Sequence, residues 1–147
     1  MNKPKAIGTA AETQVVKYLR ENGFSKAERR ALHGGKDVGD ILACDDFLVE
    51  VKVRGKDSSN AGLGQPGDAE LLGWLDELDN ELWNAGCTYG LLVVKRKGTT
   101  DVAKWWGYVY LDAFANLLGV EIPASVHWVC MEVAPMVELV KNALRAS

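Results

Sequence analysis

Residues 38–53 read VGDILACDDFLVEVKV, two β-rich stretches, Val38 to Cys44 and Phe47 to Val53, on either side of Asp45-Asp46. Apolar and β-branched residues bounded by such a polar pair predict a hairpin. Side chains alternate along a strand, so Glu50 and Lys52 share one face while Val49, Val51 and Val53 fill the other. Residues paired across antiparallel strands project from the same face. A clean two-residue turn would pair Cys44 with Phe47 and Asp40 with Val51, sending Asp40 and Glu50 to opposite faces. A three-residue turn, or one bulge, would instead set Asp40 nearly opposite Glu50. The register of this hairpin therefore decides whether the two acids can meet.

Working outward, Thr9-Ala-Ala-Glu12 followed by Val15, Val16, Tyr18 and Leu19 predicts an amphipathic helix over about residues 9 to 22, opened by a capping box and closed by Gly23. A short strand is expected around Ala27 to Leu32, ended by a turn at His33-Gly34-Gly35. Beyond the hairpin, Gly55 to Gly67 is a long polar loop. Asp68 is expected to cap a helix over about 69 to 85, with Leu71, Leu75, Leu78 and Leu82 on one stripe and Trp74 and Trp83 beside it. Tyr89 to Val94 is a nearly continuous apolar strand, and the strand-helix-strand path from 47 to 94 predicts a parallel pair. Trp105 to Leu111 alternates as a further strand, with Trp105 and Trp106 pointing opposite ways, one into the core and the other exposed or covered by a partner. Asp112 is expected to cap a short helix through Leu118. Val126 to Val133 suits a buried strand, although Ile122, Val126, Val129 and Val133 also fit helical spacing. Pro135 suits the first turn of a closing helix with Val137, Val140 and Leu144 on one side. The fold class is α/β, a mixed sheet flanked by helices.

At 147 residues, 48% hydrophobic and 25% charged, the chain has the size and composition of one globular domain. No apolar run reaches the roughly 18 residues of a membrane span, and the start Met-Asn-Lys-Pro-Lys lacks the apolar segment of a secretory signal. A cytoplasmic protein, of a bacterial or phage-infected host cell, is the expectation. Cys44, Cys87 and Cys130 are odd in number and far apart, which predicts buried reduced thiols and no zinc site. The net charge of −3 is unevenly spread: residues 57–88 hold no Lys or Arg against seven acids, whereas residues 1–56 hold eleven against eight. The acidic 69–85 helix is therefore expected to sit away from any phosphate backbone, and a basic face remains available elsewhere.

Asp40, Glu50 and Lys52 form the constellation that carries chemistry. Two carboxylates can hold divalent cations against a scissile phosphate, and a lysine beside them can orient the attacking water or offset charge on the phosphoryl oxygens. Gly39 would let a phosphate backbone approach closely. The bland alternative is an exposed edge strand on which Glu50 and Lys52 form a weak surface pair. Glu12 either completes the capping box or reaches the metals as a further carboxylate. Asp37 reads as turn chemistry, and neither His33 nor His127 is assigned a catalytic role. Arg29, Arg30, Lys36, Arg54 and Lys56 flank the hairpin and are candidate phosphate contacts, as are Lys95, Arg96 and Lys97 after the 89–94 strand.

Taken together, Glu12, Arg29-Arg30, Gly35 to Ile41, Val49-Glu50-Val51-Lys52, the acidic second helix and Leu91 to Gly98 resemble the PD-(D/E)xK, restriction-endonuclease-like nuclease superfamily. The resemblance is to its Holliday junction resolvase branch, which includes phage and actinobacterial members. It covers roughly residues 8 to 118, with Gly39 in place of the proline before the aspartate and no recognisable motif in the last thirty or so residues. It implies a single-domain restriction-endonuclease-like core in the order αβββαβ, with residues 119–147 as a C-terminal extension. It also implies Mg2+, with Mn2+ as a substitute, on Asp40, Glu50, the Val51 carbonyl and Glu12. Lys52 would help activate water, the partner would be branched DNA, and the assembly would be a symmetric homodimer. Competing expectations are a nuclease of the same core acting on linear or single-stranded DNA, and a scaffold that only binds DNA or a protein.

Overall fold

The computed structural model describes residues 3–30, 41–53, 65–123 and 128–146. Helix α1 (Lys3–Glu21) leads into strands β1 (Glu28–Arg29), β2 (Ile41–Cys44) and β3 (Phe47–Lys52). Helix α2 (Asp68–Ala85) and strand β4 (Tyr89–Val94) follow, then a 3-10 turn at Val102–Lys104, strand β5 (Trp106–Tyr110), helix α3 (Leu111–Leu118), strand β6 (Trp128–Glu132) and helix α4 (Val133–Ala146). Among the described residues six strands form one sheet in chain order. Only β3 and β4, joined through α2, run parallel among its described neighbours; the other pairs are antiparallel. The protein is thus α/β with a mixed sheet flanked by helices.

Two apolar layers follow from strand alternation. On one face Val49, Val51, Leu91 and Val93 meet Val15 and Leu19 of α1, Phe114 of α3, and Met136, Val137 and Val140 of α4. On the other, Leu48, Leu92, Val94, Trp106 and Tyr108 meet Leu71, Leu75 and Leu78 of α2. A sheet covered on both sides buries both tryptophans of the Trp105-Trp106 pair, one in each layer, which corrects the expectation that one of them stays outside. Trp83, by contrast, is 88% exposed on α2.

Several element ends differ from expectation for local reasons. Helix α1 begins six residues before Thr9, with Pro4 in its first turn, where the missing N–H costs nothing. Thr9 is therefore internal: its carbonyl accepts from Thr13 Oγ1 at 2.9 Å, and the capping box does not form. Gly23, at φ 105°, ends that helix as read from the sequence. The N-cap of α2 is Gly67, and Asp68 lies with Glu70 in the first turn, where the helix dipole favours negative charge. Gly90 is required by close approach, since a Cβ there would lie 2.9 Å from Leu82 Cδ1.

Residues 128–146 complete the fold. Strand β6 pairs along the whole length of β5, and α4 buries Met136, Val137 and Val140 in the α1 layer. The strand reading of 126–133 holds for Trp128–Glu132, and Pro135 does sit in the first turn of α4. All three cysteines are free but half-buried, which corrects the fully buried expectation, and burial pushes each thiol above its ordinary range. Among the described residues no helix is long and apolar enough to cross a membrane.

Candidate active site at the end of strand β3

The hairpin register is the first test of the site. Strands β2 and β3 pair Ile41 with Val49 and Leu42 with Leu48, then slip so that Cys44 meets Phe47. Ala43 is the extra residue, a bulge of the kind that the meeting of two acids requires. Asp40 itself lies outside the described residues, as do Lys36, Asp37, Arg54, Lys56, His33 and His127.

Glu50 lies in the middle of the sheet, between β2 and β4, and only 4% of it is exposed. Its face is the one covered by α2, flanked by Leu48 and opposite Leu92. The exposed edge-strand alternative therefore does not apply. Two residues on, the Lys52 ammonium lies 3.5 Å from Glu50 Oε1 and 2.7 Å from Glu77 Oε2. Glu77 comes from the acidic helix α2: a helix joining β3 to β4 must lie over one face of those strands, and here it is the Glu50 face. Glu81, one turn further along α2, is also buried.

Burial pulls the Lys52 ammonium down, but the hydrogen bond to Glu77 and the charges of Glu50 and Glu77 outweigh it and hold Lys52 above the ordinary lysine range. The side chain is thus a cation near neutral pH. It can donate hydrogen bonds and offset negative charge, and it is a poor proton acceptor.

Glu12 and Arg29 lie elsewhere. Helix α1 packs on the Val49 and Val51 face, and Arg29 pairs with Ile41 on β2. Glu12 Oε2 accepts from Arg29 Nε at 2.9 Å and lies 2.7 Å from a terminal guanidinium nitrogen. The structure brings Glu50, Lys52 and Glu77 together; it joins Glu12 to Arg29 on the opposite side of the sheet. Val51 pairs with Val93 in the parallel ladder, its side chain in the α1 layer. Arg30 is half-buried, near Cys87.

The basic run after β4 is placed at the same sheet end as Lys52, because Lys95 N donates to Lys52 O at 3.0 Å. Lys95 reaches over the Trp105 ring at 5.7 Å. Arg96 lies over Trp106 at 4.6 Å, donates to Lys104 O at 3.4 Å, and is 3.5 Å from Glu132. Lys97 is exposed. Lys97 is therefore the member of this run most available to a ligand, while Lys95, over Trp105 in the α1 layer, and Arg96, over Trp106 in the α2 layer, are packing residues as well.

Among the described residues no three acids, imidazoles or thiols converge to hold a metal. Glu50 nonetheless has the donor chemistry that a hard divalent cation takes: it is a nearly buried carboxylate on a central strand. No protein-family model, curated protein or solved structure matches this chain.

Proposed function

We propose that this protein is a Mg2+-dependent, structure-selective DNA endonuclease that resolves Holliday junctions or other branched DNA by phosphodiester hydrolysis. One observation carries the reading: a bulged hairpin pairs Ile41 with Val49 next to a buried Glu50, whose neighbour on the same face is Lys52. Asp40, directly before Ile41, is the second carboxylate of the proposed set, and the Val51 carbonyl the third ligand. When bound there, Mg2+ supplies Lewis-acid polarisation of the phosphate and a water acidified to react near neutral pH.

The chain's own groups do the rest. Lys52, held cationic, orients the attacking water and donates to the phosphoryl oxygen on which charge develops. Lys97, at the same sheet end, grips the backbone nearby, with Lys36, Arg54 and Lys56 as further contacts. Glu12 acts through Arg29, fixing the guanidinium for a phosphate further along, and so positions a DNA contact instead of ligating the metal. Cutting two related strands of a junction suits two such sites in a twofold dimer. The choice of branched over linear DNA rests on the sequence resemblance alone.

The test is direct. Asp40→Asn and Glu50→Gln are expected to abolish cleavage of a synthetic four-way junction while binding persists; unchanged cutting by either variant would defeat the proposal. One observation favours a second reading, a scaffold that binds DNA without cutting it: the shortest contact of Lys52 is to Glu77, as in a purely structural ion pair. A wild-type protein that binds the junction yet cuts none of a junction, flap, duplex or single strand in Mg2+ would decide for it.

A further inference from the structure

We infer that Glu77 is a yielding counter-ion that occupies Lys52 until a phosphate group of the substrate takes its place. The inference rests on the nuclease reading and adds a residue to its site. Among the described residues Lys52 Nζ has two carboxylate neighbours, Glu77 at 2.7 Å and Glu50 at 3.5 Å. They differ in their freedom to leave. The Glu50 side chain is 5% exposed on a central strand, whereas that of Glu77 is 54% exposed on a helix surface, with only its own rotamers to change. A phosphate oxygen arriving at Lys52 would meet the repulsion of Glu77 as long as that carboxylate stays. Glu77 can swing into solvent without moving α2, whose hold on the sheet comes from Leu71, Leu75 and Leu78. Binding is then an exchange of one anion for another at the same ammonium, and an exposed ion pair is weak enough to be exchanged readily.

The experiment compares four-way-junction binding by the Asp40→Asn protein with that of the same protein carrying Glu77→Gln or Asp76→Asn, in Mg2+ at low salt. Asp76 is the exposed neighbour of Glu77, and its substitution removes an equal charge from the same helix. Glu77→Gln is expected to tighten Kd by about fivefold and Asp76→Asn by less than about twofold. In the cleaving protein the gain should appear in KM more than in kcat. Equal effects of the two substitutions, or weaker binding with Glu77→Gln, would overturn the inference. Failure of the nuclease reading shows separately, as an Asp40→Asn protein that cuts at the wild-type rate; no binding by any variant would overturn both.

Discussion

Replacing Glu50 with Gln separates what the residue does for stability from what it does for chemistry. The carboxylate is almost wholly buried, and removing such a group from water costs several kcal/mol. Attraction to Lys52 at 3.5 Å, about 5 kcal/mol at an effective dielectric near 20, is cut to about 2–3 kcal/mol by the solvent that reaches the 24% exposed lysine. The two nearly cancel, so Glu50→Gln should change unfolding free energy by no more than about 1.5 kcal/mol in either direction. Lys52→Met removes one compensating partner and leaves the buried charge in place. It should cost about 2–3 kcal/mol, less than a fully buried pair because the lysine is 24% exposed. Cleavage should fall at least about a hundredfold in both variants. Urea unfolding of the two proteins beside the wild type, with junction cleavage measured on the same preparations, makes the comparison. A Glu50→Gln protein less stable than Lys52→Met would refute this balance and mark Glu50 as a folding residue.

Four further outcomes follow. Met136→Ala, fully buried in the α1 layer, should cost about 2–5 kcal/mol in urea unfolding, and a loss below about 1 kcal/mol would show that α4 is only an appendage. Lys97→Ala should weaken DNA binding across sequences and lower the slope of log K against log salt by about one, a change absent if Lys97 lies off the DNA path. Burial, with the charges of Asp79 and Asp76, pushes the Tyr110 hydroxyl up to about 12, so a late component should appear in the tyrosine absorbance titration, and Asp79→Asn should bring it down part of the way while burial keeps it above the ordinary range. Because the folded value lies above the unfolded one of about 10, the Tyr110 contribution to stability is complete below pH 10 and is lost as pH rises through 12; urea midpoints of wild type and Tyr110→Phe should converge over that range.

Much of the architecture is legible because β3 and β4 are written in apolar runs that only a covered sheet accepts, and because turn and helix-end glycines such as Gly23 punctuate the chain. The bulge at Ala43 was legible only as a demand: nothing in Ala43-Cys44 signals it locally, and the need for two acids on one face does. Thr9 misled because a sound capping pattern also occurs inside a helix that Pro4 allows to start earlier. The place of α2 is legible in the apolar residues of the sheet and not in the helix's charge: Leu48 and Leu92 flank Glu50 on the face that a crossover helix covers, and 74, 77 and 81 share the flank of α2 next to its leucine stripe, which puts Glu77 near that face. Glu12 was assigned by motif, whereas the pairing of Arg29 with Ile41 sets its guanidinium within reach of α1.

The central claim is that carboxylates from β3 and from the residue before β2 share one divalent cation. Mn2+ binding followed by electron paramagnetic resonance reads this without knowledge of the substrate. Saturable binding to the wild-type protein is expected, lost in Asp40→Asn and, separately, in Glu50→Gln. Mn2+ binding that survives both substitutions, or that the wild-type protein never shows, would contradict it.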